Sequence, residues 1–173
     1  MRRLIVPLLA GLLAACATMH GPQTITLSTV EIEQQAGAGL ERVLAMFEGL
    51  DTRRPDVSLM PTSGRLLLEW SLRWADGPAG SSHELAVEVS GRPVLNAAGN
   101  GIDLTRVRIE DVRLGGLPRF LGLARLVDRK GMTLPDLPLM TLPPERLRRS
   151  GVAYRATGVS VGYTGLKIDI VPM

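Results

Sequence analysis

The chain has 173 residues, of which 45% are hydrophobic and 21% charged, and its formal net charge is +3. This mixture is typical of a globular fold and excludes disorder of the whole chain. With two Trp, two Tyr and two Phe, the chain has few of the aromatic side chains on which nucleic-acid bases stack, so composition argues against a nucleic-acid partner.

Residues 1–15 have the features of a bacterial signal segment. Arg2 and Arg3 form a positively charged start, and the next twelve residues, 4–15, are apolar. Such a stretch is too short for the roughly 20 residues that span a membrane, but it suits a signal peptide. Its removal leaves 158 residues (173 − 15) and lowers the net charge from +3 to +1, because two arginines leave with it. That length fits one domain.

The segment ends in Leu13-Ala14-Ala15-Cys16, which resembles the lipobox of bacterial lipoproteins. In that class the Cys thiol receives a diacylglycerol, the signal is removed before the Cys, and the new amino group is acylated with a chain such as palmitate. Several acyl chains together anchor a protein stably to a membrane. The alternative is an ordinary signal peptide with an accidental Cys, but Cys16 is the only Cys in the chain and occupies the required position.

The residue after the lipobox favours the outer membrane as the destination. It is Ala17 rather than Asp, and by resemblance to enterobacterial lipoproteins this favours outer-membrane sorting and a domain that faces the periplasm. A lone Cys also excludes an intramolecular disulfide. We expect residues 16–23 to form the acylated Cys and a tether, and residues 24–173 to form a single domain.

The domain is predicted to open with a short strand, residues 24–27, and a long helix. Ser28 followed by Glu31 predicts a capping box at the helix start. Apolar residues then recur at spacings of three and four, which predicts one buried stripe on a helix of about five turns. Gly49, Asp51 and Pro55 are expected to end it. The stripe comprises Ile32, Ala36, Leu40, Val43, Phe47 and Leu50.

The middle of the chain alternates between apolar and polar residues, which predicts long strands at residues 64–75, 83–90 and 102–114. In the third strand the apolar phase slips twice, after Leu104 and again after Ile109. Two slips predict β-bulges, which bend a sheet and increase its twist. We therefore expect a strongly curved antiparallel sheet.

The last third of the chain is more varied. A second amphipathic helix is predicted over residues 117–127, and the four prolines of residues 132–144 predict an extended apolar edge. Residues 144–149 are predicted to form one or two helical turns. A closing hairpin is predicted with Thr164-Gly165 as its turn, so that Tyr163 would face Leu166 and Val161 would face Ile168. The predicted class is α+β: a long N-terminal helix packed against the curved sheet, with a second amphipathic helix.

This order of elements resembles the YceB-like family of small bacterial lipoproteins. The likeness rests on Leu13-Ala14-Ala15-Cys16, on residues 25–32 opening the helix, and on the closing strands of residues 158–171. The proline-rich residues 132–144 depart from the plainer helix-to-strand passage expected of that family. The resemblance implies a tubular lipid-binding-like fold, with a curved sheet wrapped along a helix and a groove for an apolar ligand. It implies no catalytic residues.

The sequence offers little for catalysis or metal binding. Residues 158–162 match the G-x-S-x-G string, but they lie in an alternating strand and no His follows His83, so Ser160 is interpreted as a strand residue and not a nucleophile. His20 and His83, with Cys16 acylated, cannot assemble a usual zinc or copper site. We predict neither an enzyme nor a cofactor. Arg146, Arg148 and Arg149 could meet an anionic head group, although a solvated helix end is the simpler interpretation.

Two functions remain. The first is a lipoprotein that binds a lipid or other apolar ligand in a groove between the helix and the sheet; the same residues would equally serve as an ordinary core. The second is a non-enzymatic scaffold that joins an envelope complex through residues 132–144, with a protein partner that the sequence does not identify. The groove candidates are Ile32, Ala36, Leu40, Val43, Phe47, Leu68, Trp70 and Trp74.

The anchoring hypothesis depends on Cys16 alone and can be tested there. Cys16→Ser should block acylation and signal removal, because both steps require the thiol. We expect the full-length precursor to accumulate and to be lost from the outer-membrane fraction, as judged by metabolic labelling with a palmitate analogue and by intact-mass measurement. Normal processing of this variant would contradict the lipoprotein assignment.

Overall fold

The computed structural model of the chain describes residues 21–44, 50–52, 54–76, 81–115 and 131–173. The lipobox with Cys16, Phe47 of the predicted helix stripe, and the predicted second helix at residues 117–127 lie outside these ranges. Within them the chain forms eleven strands, one α-helix and one 3-10 turn. In order, these are β1 (Gln23–Leu27), α1 (Thr29–Leu44), β2 (Leu50–Thr52), β3 (Asp56–Met60), β4 (Arg65–Asp76), β5 (Ser81–Leu95), β6 (Gly101–Gly115), β7 (Thr133–Leu134), β8 (Leu137–Thr141), the 3-10 turn (Pro144–Leu147), β9 (Arg148–Arg149), β10 (Val152–Val161) and β11 (Leu166–Pro172).

The described chain is mostly β-sheet, so the predicted α+β class, with a long helix packed on one sheet, is wrong. Helix α1 has 16 residues and is the one helix of seven or more residues in the described ranges. Leu50, predicted as the last apolar position of the helix, instead pairs with Trp74 in β2. The alternating segment Asp56–Met60 after Pro55 pairs with β4. The residues that were predicted to form the end of the helix and the segment after it therefore form short strands.

The strands form two antiparallel sheets. The larger has seven strands: β2, β4, β5, β6 and β7 lie in that order, with β3 also on β4 and β8 also on β6. This sheet curls into a half-barrel. The smaller sheet has the order β1-β11-β10-β9. Helix α1 contacts both β3 and β8, which pair with opposite sides of the β4–β5–β6 centre. One helix thus closes against both margins of the curled sheet.

The predicted bulges in β6 are confirmed. Glu88 pairs with Asp111 and Val89 pairs with Ile109, so Glu110 is an extra residue between them. Further along, Ser90 pairs with Arg108 and Arg92 with Thr105, and two residues of β6 oppose Gly91 alone. Arg106 in this second bulge has a φ of 50°. These two bulges coincide with the two phase slips in the sequence, and bulges of this kind bend the strand that carries them.

The apolar faces of both sheets and of α1 join one buried core. The predicted alternation of β4 is confirmed, because Leu66, Leu68 and Trp70 are buried while Leu67 and Glu69 between them are half-buried. The proline-rich segment pairs with β6 as an extended edge, as predicted, but its side chains Leu139, Met140 and Leu142 are buried. The smaller sheet contributes Ile25, Leu27, Tyr154, Leu166, Ile168 and Ile170.

The closing hairpin forms, but its predicted turn is wrong. Val161 pairs with Leu166 and Val159 with Ile168, so the loop has four residues, 162–165, and the register differs from the prediction by two. The same side chains still share a face because strand alternation has a period of two. A Cβ on Gly165 would lie 2.0 Å from the carbonyl oxygen of Leu27. The close approach of β1 therefore requires glycine at this position, at the end of the loop.

The predicted capping box at the start of α1 is confirmed. The backbone N–H of Ser28 donates to Glu31 Oε2 at 2.9 Å, and the backbone N–H of Glu31 donates to Ser28 Oγ at 3.4 Å. Glu31 also forms an ion pair with Arg146, beyond β8. The Ser28 N–H bond is the main cause that lowers the pKa of the Glu31 carboxyl, and the Ser28 hydroxyl and the Arg146 guanidinium lower it further, against an opposing effect of burial. The box thus ties the helix start to a distant part of the chain.

This lowered pKa predicts a specific loss of stability in acid. A carboxyl whose pKa is lower in the folded state stabilises the fold above its unfolded pKa, and this stabilisation disappears as pH falls through the folded value. Glu31→Gln keeps an acceptor for the capping box but removes the charge. We expect the variant to be less stable than the native chain at pH 7 by about 0.5–1 kcal/mol, and the difference to vanish well below pH 4.5, the ordinary value of this carboxyl.

Urea denaturation between pH 7 and pH 3 measures this difference. Glu145→Gln is the matched control, because Glu145 is an exposed residue of the 3-10 turn and its replacement should leave the pH profile unchanged. A Glu31→Gln profile that runs parallel to that of the native chain down to pH 3 would contradict the assignment.

Candidate functional site

The inner face of the half-barrel is built from cross-strand rows of apolar residues. Leu68, Val89 and Ile109 form one row across β4, β5 and β6, and Trp70, Val87 and Val112 form the next. The first row is closed, with 0%, 4% and 5% of its side chains exposed. In the second row Trp70 is 6% exposed, Val112 is 9% exposed and Val87 is only half-buried. Burial therefore loosens along the sheet in the direction of Trp70.

Trp70 has a polar group that no described residue satisfies. Its indole Nε1 is buried, and it is the one buried side-chain nitrogen or oxygen in the described ranges that has no hydrogen-bond partner. An indole N–H can only donate. A buried donor without an acceptor costs about 1–3 kcal/mol, and most such groups in native proteins are paired. Trp70 is thus the residue at which the described interior is chemically incomplete.

The groove candidates divide into two sets. Ile32, Ala36, Leu68 and Trp70 come together in the same buried core, with at most 6% exposure. The helix itself packs mainly against β3 and β8. The side chains of Leu40, Val43 and Trp74, and the whole of Phe47, lie outside the described part of the chain. Whether a ligand contacts them stays a prediction.

The outer face of the sheet carries a different feature, an open cleft of about 380 Å³. Sequence reasoning did not identify it, because its residues come from β3, β4, β5, β6 and the β3–β4 turn. Apolar side chains form part of the lining and four charged side chains form most of the rest. The lining comprises Met60, Ser63, Arg65, Leu67, Glu88, Ser90, Arg108 and Glu110.

Ser90 is the centre of this cleft. It is 1% exposed and is the one buried polar or charged residue in the described ranges. Its Oγ accepts bonds from Arg65 Nη2 at 2.6 Å and Arg65 Nε at 3.1 Å, and donates to the carboxylate of the bulge residue Glu110. Arg65 Nη2 also donates to the carbonyl oxygens of Ser90 at 3.1 Å and of Arg106, in the other bulge, at 3.2 Å. These groups satisfy one another, so we assign the cluster to holding the bulges.

A second polar cluster crosses the same outer face. Glu69 and Glu88 stand directly opposite each other on β4 and β5, an arrangement of like charges that destabilises a sheet. Arg113 of β6 pairs with both carboxylates, at 2.8 Å from Glu69 Oε1, and its Nε lies 3.7 Å from Asp111 Oδ2. Because Arg113 is 54% exposed, this network contributes little to stability; it offsets the repulsion between the two glutamates.

The G-x-S-x-G string lies within β10 and the residue that follows it. Ser160 is exposed and pairs with Lys167, and its neighbours Val159 and Val161 pack against the core on the other face. This placement confirms that Ser160 is a strand residue. Within the described ranges, no group of three or more His, Cys, Asp or Glu side chains could hold a metal ion, and no helix there is long and apolar enough to cross a membrane.

Comparison with known proteins assigns no family. No protein-family model matches the chain, and no curated protein matches it. The resemblance to the YceB-like lipoproteins therefore stays a hypothesis that rests on the motifs of the sequence. Function has to be argued from the residues themselves.

The two serines provide a matched test of the outer cleft. Ser90→Ala removes the hydroxyl that joins Arg65 to Glu110 and should lower the free energy of unfolding by about 1.5–3 kcal/mol, the usual range for a hydrogen bond to a charged group. Ser160→Ala removes an exposed hydroxyl and should change stability by less than about 0.5 kcal/mol. Urea denaturation of the two variants measures both values. Equal effects would show that Ser90 does not hold the bulges.

Proposed function

We propose that the protein is a lipoprotein, anchored through acylated Cys16 to the periplasmic side of the outer membrane, which binds a lipid on the inner face of its curled sheet beside Trp70. The anchoring and the destination rest on the lipobox and on Ala17. The binding function rests on one observation, the buried indole N–H of Trp70 that has no acceptor among the described residues.

The orphaned donor indicates the chemistry of the ligand. Trp70 lies in an apolar row with Val87 and Val112, so a guest at this position has to be mainly apolar. It also has to offer a hydrogen-bond acceptor to Nε1. An acyl chain that ends in an ester or carboxyl group combines the two, because its carbonyl oxygen accepts a bond and its methylenes bury apolar surface at about 0.8 kcal/mol each. We therefore propose an acyl lipid.

The closed row supports a narrower proposed site than the groove predicted from the sequence. Ile32, Ala36 and Leu68 are 0–4% exposed and pack directly in the core, so the proposed site begins at the Trp70 row, where burial loosens. Beyond Trp70 the backbones of β4, β5 and β6 stay paired as far as Asp76, Ser81 and Gly115. The sheet therefore continues past Trp70 and provides a length of strand along which an acyl chain can lie.

The scaffold alternative gains no support from residues 132–144. That function needs an exposed apolar surface, whereas Leu139, Met140 and Leu142 face the core and only Met132 of this segment is a markedly exposed large apolar residue, at 42%. The scaffold remains the alternative if no lipid binds.

A comparison of two ligands and two variants tests the proposal. The non-acylated mature chain is titrated with methyl laurate, which has an ester carbonyl, and with dodecane, which has none, each by displacement of a fluorescent fatty acid. Trp70→Phe should lower the affinity for methyl laurate roughly two- to tenfold, which corresponds to one hydrogen bond. It should lower the affinity for dodecane much less. Native mass spectrometry of the chain as purified should show a co-purified lipid.

Tyr154→Phe is the control. Tyr154 is an equally buried aromatic residue of the same core, and its hydroxyl accepts a bond from Gln23 Nε2 at 3.1 Å. Its replacement should lower stability by about 0.5–1.5 kcal/mol and leave both ligand affinities unchanged. The proposal fails if neither ligand binds, or if Trp70→Phe weakens both equally, since the indole N–H would then have no role in recognition.

A further inference from the structure

The smaller sheet presents arginines at the end from which the tether emerges. β9 and β10 form a tight hairpin in which Arg149 pairs with Val152 and Arg148 pairs with Ala153. The two turn residues, Ser150 and Gly151, have φ values of 49° and 80°, as a type I′ turn requires. Such turns match the twist of paired strands. The hairpin is therefore a defined structure that holds its arginines in place.

Three arginines of this hairpin are exposed: Arg148, Arg149 and Arg155, which we call the tether-end surface. Arg148 and Arg155 lie on one face of the sheet, because Arg155 is two residues beyond Ala153, the partner of Arg148. Within the described part of the chain, the side chain of neither arginine forms an ion pair or a hydrogen bond. Arg146 is different, because it is committed to Glu31. Of the three arginines that the sequence offered as head-group contacts, Arg146 is therefore already paired with a carboxylate.

The tether-end surface lies close to the start of the tether that would carry the lipid anchor. Arg149 Nη1 donates to Gln23 Oε1 at 3.1 Å, and Gln23 is the first residue of β1. Cys16 precedes Gln23 by seven residues, which span at most about 25 Å when extended. An acyl group on Cys16 would therefore hold the membrane surface within reach of the side chains that surround Gln23.

The positive charge of the tether-end surface is complementary to a membrane of anionic lipids. Residues 144–155 contain four arginines and one glutamate, and one of those arginines is neutralised by Glu31. Each arginine near an anionic lipid surface raises the equilibrium constant for contact with that surface by about fivefold. This attraction acts within the Debye length of about 8–10 Å. Guanidinium groups also bind phosphate oxygens through two parallel hydrogen bonds.

We propose that the tether-end surface docks on anionic phospholipid head groups of the membrane to which Cys16 is anchored. This inference rests on the anchoring part of the proposed function and goes beyond it, since acylation alone would leave the domain free to tumble on its tether. Docking of Arg148, Arg149 and Arg155 would fix the end of the smaller sheet at the membrane surface.

Arginine footprinting tests the proposal on the acylated mature protein. The protein is added from detergent to vesicles of phosphatidylcholine alone or with one-third phosphatidylglycerol, and p-hydroxyphenylglyoxal then modifies accessible arginines, which are quantified by mass spectrometry. On anionic vesicles the three tether-end arginines should react at least about fivefold more slowly. Arg92 and Arg108 are exposed on the larger sheet, and the reaction rate of each should be the same on the two kinds of vesicle. High salt should abolish the protection.

A variant comparison separates docking from anchoring. Met173 is 83% exposed and its N–H donates to Ala153, beside Arg148, so its oxidation by chloramine-T reports on contact at this end. Anionic vesicles should protect Met173 in the native protein and in Arg92→Gln/Arg108→Gln. Protection should disappear in Arg148→Gln/Arg149→Gln/Arg155→Gln, while this variant still floats with the vesicles.

Three results would overturn the inference, and each points to a different error. If the native protein floats with both vesicles and its tether-end arginines react equally on both, anchoring stands and docking is wrong. If the protein floats with neither, the lipid anchor itself is wrong and docking falls with it. Loss of Met173 protection in the Arg92→Gln/Arg108→Gln control would also overturn it, since protection would then depend on overall positive charge and not on the tether-end arginines.

Discussion

A single helix makes contact with β3 and β8, two strands that pair with opposite sides of the larger sheet, and the rest of the structure depends on this constraint. A flat sheet of this width would hold the two strands several strand spacings apart, at about 4.8 Å each. One helix packs against both strands, and the sheet between them curls into a half-barrel. The curl also creates the concave inner face on which Trp70 lies.

The curvature comes from β6 and is held from outside. Each bulge in β6 interrupts regular pairing, and a bulge leaves backbone groups that need partners. Arg65 supplies a donor to the carbonyl of Arg106 in one bulge, and through Ser90 it is linked to Glu110 in the other. The buried polar cluster on the convex face thus holds the bulges that curve the sheet, and this curvature shapes the apolar rows on the concave face. This is why a fully buried serine is compatible with a β-sheet whose other face is the core.

Local patterns in the sequence predicted the pieces of this fold better than its class. The Ser28–Glu31 box, the alternation of β4 and the phase slips of β6 are short-range signals, and all three are confirmed. The class was wrong because short strands such as β3 and β9 form only where a longer strand offers its edge, and a local pattern does not reveal that partner. The predicted hairpin register was off by two residues for a related reason. Glycine is required at position 165 because β1, which is distant in sequence, approaches it closely. Of the candidate site, the pattern placed Trp70 on the inner face, but an unpaired indole N–H is a property of three-dimensional packing that no spacing reveals.

Two aromatic residues of the core differ in whether the described residues satisfy their polar group. Tyr154 and Trp70 are both nine-tenths buried or more, and both bring one polar group into an apolar interior. Gln23 reaches Tyr154 from the neighbouring part of the same sheet, and Arg149 in turn binds Gln23, so that the polar groups at the tether end are satisfied in series. Trp70 has no such partner within the described residues. A phenylalanine would supply an apolar ring without an orphaned donor that costs about 1–3 kcal/mol, which is a sizeable part of the 5–15 kcal/mol by which a domain is stable. The acyl lipid that we propose as the ligand would supply the acceptor that Trp70 lacks among the described residues.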